Sequence, residues 1–171
     1  MSNFLPVSTL FGGIFSLMAI ALSYVVAIER TKKRVWHGVS LADVSNQPDY
    51  LKEPGKWAAF VENYTQKSIA TKSYESCDDG VLQRKVRAFG NFMEYVPLAL
   101  LLIILLELVG SPAWLLWLLG IVLTIARIAH AWGVIGIYGA SPFRAIGFFL
   151  TWLVYLLGAA ACLFYSVISF L

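Results

Sequence analysis

The sequence predicts an all-α membrane protein, a four-transmembrane-helix bundle in one domain over residues 1–171, with both termini on the non-cytoplasmic side. Three observations carry that expectation. Hydrophobic residues make up 59% of the chain and charged residues 13%, against about 25% charged in a typical soluble domain; the mean hydropathy is +0.73. Four apolar runs approach or exceed the ~20 residues needed to cross a bilayer as a helix. Eleven of the thirteen Lys and Arg residues fall between Glu29 and Arg87, and loops rich in Lys and Arg stay cytoplasmic.

The first run, Phe4 to Ile28, has no positive leading segment and no small-residue cleavage pattern. It is also longer than the apolar stretch of a signal peptide, so it reads as a span. It ends in the basic stretch "ERTKKR". A long loop at about 30–83 follows, expected in the cytoplasm. Within it, "KWAAFVENYTQKSIA" sets Trp57, Phe60, Val61 and Tyr64 at i, i+3, i+4 and i+7. That is the pattern of an amphipathic helix, one that rests in the headgroup layer or on the bundle, or covers a site as a lid.

The second run, about Ala88 to Val109, and the third, Ala113 to Ile135, are joined by "GSP", a tight hairpin. The Gly/Ser/Pro turn "GIYGASPF" leads to the fourth, Ala145 to Leu171. The N-terminus, the "GSP" turn and the C-terminus carry no Lys or Arg, so loops one and three are placed in the cytoplasm. Trp36, Trp114 and Trp117 read as interface anchors. Cys77 and Cys162 read as reduced and unpaired. The net charge of +3 reflects the one-sided loops and gives little reason to expect a nucleic-acid partner.

The second run opens on "RKVRAFGNFMEYVP", whose first turns are polar. Wound at about 100° per residue, Arg84, Arg87, Asn91 and Glu94 fall at roughly 0°, 300°, 340° and 280°, one face about 80° wide. Glu94 lies roughly 10 Å deeper than Arg87 along the axis. A charge at depth costs ~2.5–3.5 kcal/mol against lipid. The stripe is therefore expected to face the bundle or a water-filled cavity. Arg127 and His130, at i and i+3 in the cytoplasmic half of the third helix, lie at the same level, as do Arg144 at the mouth of the fourth and Glu29 to Arg34 at the end of the first. Glu94 and Arg127 also suit a buried salt bridge between helices. Surplus positive charge with one amide and one carboxylate suits a small anionic ligand that bears an amine.

Other chemistries lack their signatures. There is no phosphate-binding glycine loop and no dinucleotide fingerprint. Two histidines and two cysteines, none at ligand spacing, give no reason to expect a metal. No Ser–His–Asp arrangement presents itself. Pro97 removes a helix hydrogen bond and reads as shaping the bundle, and Glu107 as an interfacial carboxylate without a catalytic part.

The pattern R-x-x-R-A-x-x-N-x-x-E-Y-x-P, here Arg84, Arg87, Ala88, Asn91, Glu94, Tyr95 and Pro97, resembles the second-helix signature of the MAPEG family. These are membrane-associated proteins of eicosanoid and glutathione metabolism, among them the microsomal glutathione transferases and leukotriene C4 synthase. "ARIAH" resembles the family's third-helix R-x-x-H, and "SPFRA" the arginine that opens the fourth helix. The resemblance covers the chain apart from roughly residues 45–80.

It implies a homotrimer of four-helix protomers, with glutathione held as co-substrate between neighbouring subunits near the cytoplasmic face. On that reading Arg87, Asn91, Glu94 and Tyr95 hold glutathione, with Arg84, Arg127, Arg30 and His130 matching further positions, and Arg144 stabilises the thiolate catalytically. The implied activity is a glutathione transferase or peroxidase acting on a lipophilic small molecule that enters from the membrane lipid. Two non-catalytic readings stay open: a lipid-binding member of the same fold, and an accessory subunit of a larger membrane complex. The sequence departs from the family in having Val134 where a tyrosine is often found, with Tyr138 a turn later. Ala145 follows Arg144, and the first loop is long.

Overall fold

The structure, a computed structural model, describes residues 5–33, 35, 56, 57, 59, 60, 63 and 80–170. Four long helices dominate: α1 (Pro6–Lys33), α2 (Val81–Leu108), α3 (Ala113–Gly136) and α4 (Pro142–Ser169). Each is long and apolar enough to cross a membrane, and no strand occurs among the described residues. The protein is an integral, multi-pass membrane protein with an all-α four-helix fold.

The helices outrun the apolar stretches at the basic end. α1 continues through Arg30, Lys32 and Lys33, and α2 starts at Val81, two turns before Ala88. Lys, Arg, Gln and Glu are good helix formers, so hydrogen bonding continues where hydropathy stops. α4 starts at Pro142, whose fixed φ and missing N–H suit a first-turn position.

Contacts at both ends of α1 and α2 make the pair antiparallel. At the basic end Lys85 of α2 donates to Glu29 of α1 at 2.7 Å. At the other end Glu107 of α2 accepts from the backbone N–H groups of Val7 and Ser8 at 3.0 and 2.7 Å. These are first-turn donors of α1 that have no partner within their own helix. Expected as a bystander at the interface, Glu107 serves as the missing cap of a different helix. Glu107→Ala is expected to destabilise the protein by about 1–2 kcal/mol, read as a lower denaturant midpoint in detergent micelles.

The hairpin after α2 closes on Gly110, whose φ of 74° lies in the left-handed region. Its N–H bonds the Glu107 carbonyl, and the N–H of Ser111 bonds the Leu106 carbonyl. This paired arrangement satisfies helix-end carbonyls and favours glycine at that position.

α2 and α3 form the centre, with α1 and α4 each packed against both. The buried residues of α2 include Phe92, Val96, Ala99, Ile103 and Leu106, and those of α3 Leu116, Leu119, Leu123, Ala126 and His130. Both sets alternate steps of four and three, the seam of left-handed helix packing. α1 contributes Val7, Phe11 and Phe15. α4 buries Gly147, Thr151, Val154 and Gly158, small or branched residues; Gly147 lets α3 approach closely and Gly158 faces Leu102 of α2.

Lys56, Trp57, Ala59, Phe60 and Asn63 of the first loop are helical, with the Trp57 and Phe60 rings 5.7 Å apart. Val61 and Tyr64 of the amphipathic pattern, Trp36 and Cys77 lie outside the described residues. Trp114 and Trp117 are exposed near the start of α3, as interface anchors would be.

Candidate functional site

At the basic end α2, α3 and α4 enclose an open cavity of about 450 Å³, within the usual range for small-molecule sites. Arg84, Arg87, Asn91 and Glu94 line it from α2, His130 and Val134 from α3, and Arg144 from α4. The stretch from Ile137 to Gly139 closes the rim. Six of the nine site residues read from the sequence thus share one cavity.

The stripe on α2 is not uniformly turned inward. Asn91 is half-buried, whereas Arg87 and Glu94 are exposed on this chain. The reason is angular. Phe92, Val96 and Ala99 occupy the packed seam, and the polar stripe lies beside that seam, so only its inner edge reaches the bundle. Arg144 is also exposed. Arg87, Glu94 and Arg144 make no ion pair with any described residue.

Arg127 does not pair with Glu94. Its guanidinium donates to Oδ1 of Asn91 at 2.7 Å and to Oγ1 of Thr151 at 3.3 Å. It sits 5.9 and 5.8 Å from the centres of the Phe92 and Tyr95 rings. With 1% exposure, Arg127 is the largest side chain sealed in the interior among the described residues. It ties α2, α3 and α4 together behind the cavity. Neutral oxygens and aromatic faces surround it because the carboxylate of Glu94 points away from the seam.

Tyr95 likewise lies outside the cavity wall. Its ring stacks on Tyr155 at 5.9 Å, and its carbonyl accepts from the Tyr155 hydroxyl at 2.7 Å. Arg30 is off the wall too and donates to the Val35 carbonyl at 3.4 Å. His130, by contrast, is buried on the wall, and its Nδ1 has no hydrogen-bond partner in the described protein.

Several residues that shape the site carry no obvious mark in the sequence. Thr151 reads as one more polar residue in an apolar run, yet it accepts from Arg127. Tyr138, past the end of α3, lies under Arg84, 5.2 Å from ring centre to guanidinium carbon. Gly133 and Gly147 sit where α3 and α4 nearly touch. A Cβ at Gly133 would overlap the backbone of Arg144, and one at Gly147 would overlap the Ala126 carbonyl and His130. The small residues Gly147 and Thr151, four apart on one face of α4, are the signal that would have found that contact.

Fold and cavity together define a multi-pass membrane helix bundle with a cationic polar pocket at one end. The chain belongs to the MAPEG family, whose sequence profile matches residues 8–164. It is similar to the inner membrane protein YecN of Escherichia coli K12 and to the protein of the same name in Escherichia coli O6:H1. Each is 34% identical over 84 residues, covering 49% of this chain and 63% of the relative. The matched part of this chain thus spans less than two thirds of those relatives. No solved structure gives a significant match.

Proposed function

We propose that the cavity binds glutathione and that the protein is a membrane glutathione transferase, with peroxidase activity as a variant of the same chemistry. The observation that carries this reading is the clustering of Arg84, Arg87 and Arg144 with Asn91 and Glu94 around one cavity. Glutathione is an anionic tripeptide with two carboxylates, one amine and one thiol. Arginines suit the carboxylates in bidentate geometry, and Glu94 suits the γ-glutamyl ammonium. His130 Nδ1, buried on the cavity wall and without a protein partner, adds polar capacity at the back of the site.

Arg144 is the candidate catalytic residue. A free thiol has a pKa near ~8.5, and the thiolate is the nucleophile. A guanidinium beside the sulfur in a low-dielectric site favours the anion, and lowering the pKa by one unit requires about 1.4 kcal/mol. The thiol proton leaves to solvent. The thiolate then forms an S–C bond to a lipophilic electrophile from the bilayer, and the displaced electron pair leaves with the leaving group or moves onto the acceptor. In the peroxidase variant the thiolate attacks a hydroperoxide oxygen and the O–O bond breaks. The alkoxide leaves as the alcohol, and a second glutathione condenses with the sulfenic acid to give the disulfide and water.

Arg87, Glu94 and Arg144 are exposed on the single chain at a level where charge against lipid is costly. A homotrimer in which a neighbouring copy covers them removes that cost, and we include this assembly in the proposal. We also include an orientation with loops one and three on the cytoplasmic side, where glutathione is abundant, supported by the Lys and Arg of loop one.

The test is glutathione binding by the purified protein in detergent, followed by thiolate absorbance in the ultraviolet. Arg144→Ala is expected to reduce the thiolate fraction about tenfold near neutral pH, while Glu94→Ala weakens binding and leaves the thiolate fraction of the bound ligand unchanged. Binding without thiolate in the wild-type protein would replace this reading with a non-catalytic one. Absence of binding would remove glutathione altogether.

A further inference from the structure

A second concavity lies on the opposite side of α3, between α1 and α3. Met18, Ala21 and Leu22 of α1 face Ile128, Ala131 and Ile135 of α3 across a groove of about 360 Å³ whose walls are almost wholly apolar. It shares no lining residue with the cationic cavity. Between the groove and the basic end of the bundle, polar groups follow one another along the axis.

Trp132, 69% exposed, forms one lip of the groove. Its indole Nε1 lies 4.0 Å from the position a Cβ would take at Gly136, the last residue of α3. The indole N–H donor is thus carried toward the end of the helix at the basic end of the bundle, the usual station of an interfacial tryptophan. Beyond it comes Lys32. The residue falls about 20° from Ala21 around α1 and roughly 16 Å further along the axis. Phe11 packs over Gly120. The two helices run in the same direction, which puts Lys32 roughly 7 Å beyond the level of Gly136. Lys32 is exposed. The acidic residue one turn back, Glu29, is engaged by Lys85 at 2.7 Å, and Lys32 makes no ion pair with a described residue.

We propose that this groove is a binding site for one anionic glycerophospholipid of the leaflet at the basic end. One acyl chain lies between α1 and α3, an ester carbonyl accepts from the Trp132 indole, and the phosphate sits at Lys32. The order along the axis, apolar groove, then neutral donor, then ammonium, matches the order of groups in such a lipid. Juxtamembrane lysines attract anionic headgroups by ~1 kcal/mol each, and the groove adds apolar contact for the chain.

The full-length protein is reconstituted with equal amounts of phosphatidylglycerol and phosphatidylcholine bearing the same acyl chains. It is then extracted into detergent, washed, and its retained lipid quantified. The wild-type protein is expected to retain phosphatidylglycerol about fivefold over phosphatidylcholine, and Lys32→Gln to bring the ratio to about one. Trp132→Phe keeps the apolar lip and, as an exposed replacement, the fold; it is expected to lower retention of both lipids about threefold. Ala131→Phe, which fills the groove, is expected to abolish retention of both. Equal retention of the two lipids by the wild-type protein, or a ratio unmoved by Lys32→Gln, overturns the proposal. So does cross-linking between Ala131→Cys chains that excludes lipid, because a second copy would then occupy the groove.

Discussion

Gly147→Val is expected to destabilise the protein by roughly 3 kcal/mol or more, the largest effect of any single change considered. The position is buried on α4, and its neighbours are the Ala126 carbonyl and the backbone and Cβ of His130. Overpacking among side chains costs about 1–3 kcal/mol because rotamers give way. Here the obstacle is helix backbone, so α3 and α4 must separate. Separation also loosens the contact of Gly133 with the backbone of Arg144, so the change is expected to disturb the cavity as well as the fold. Gly13→Ala is the control. It is exposed on α1 with nothing near its Cβ position, and alanine there is expected to raise stability by about 0.5–1 kcal/mol through helix propensity. Thermal unfolding in detergent separates the two. Equal midpoints would mean that α3 and α4 do not lie as close as the structure has them.

Arg127→Ala comes second, with an expected loss of about 3 kcal/mol. The substitution removes a donor from Asn91 and Thr151 and leaves a void among three helices. Lost hydrogen bonds to a charged group and the unfilled volume both contribute. Arg127→Met restores most of the volume without the charge, and its expected loss is about 1 kcal/mol, since a buried charge is costly to desolvate and its removal offsets part of what its contacts supplied. The pair distinguishes a tie from a ligand contact. If Arg127 acts by holding Asn91 in place, both variants weaken glutathione binding in proportion to their effect on Asn91, and Asn91→Ala reproduces the loss. If methionine restores stability and binding together, the guanidinium contributes volume alone.

The four spans were legible because bilayer crossing is a demand on length and hydropathy, and both are properties of a contiguous stretch. So was the clustering of Arg84, Arg87, Asn91 and Glu94 on one face of α2, since helical periodicity depends only on spacing within one element. Pairing between elements was not legible. Glu94 and Arg127 looked like natural partners by charge, yet Arg127 reaches Asn91 and Thr151, because rotation of α2 about its seam turns Glu94 outward. Glu107 looked like a bystander, and its role as a cap depends on the start of α1 lying beside the end of α2, a hundred residues later in the chain.

The division has one physical cause. Hydropathy, helix length, the polar face of α2 and the family signature are local in the chain, and residue order alone settles them. Which side chains meet depends on how far each helix turns and how closely its neighbours approach. In this protein the small residues at Gly133, Gly147 and Gly158 and the aromatic rings around Arg127 set that approach. Packing between helices, a three-dimensional property, therefore decided that Arg127 is a buried tie while Arg144 and His130 face the cavity.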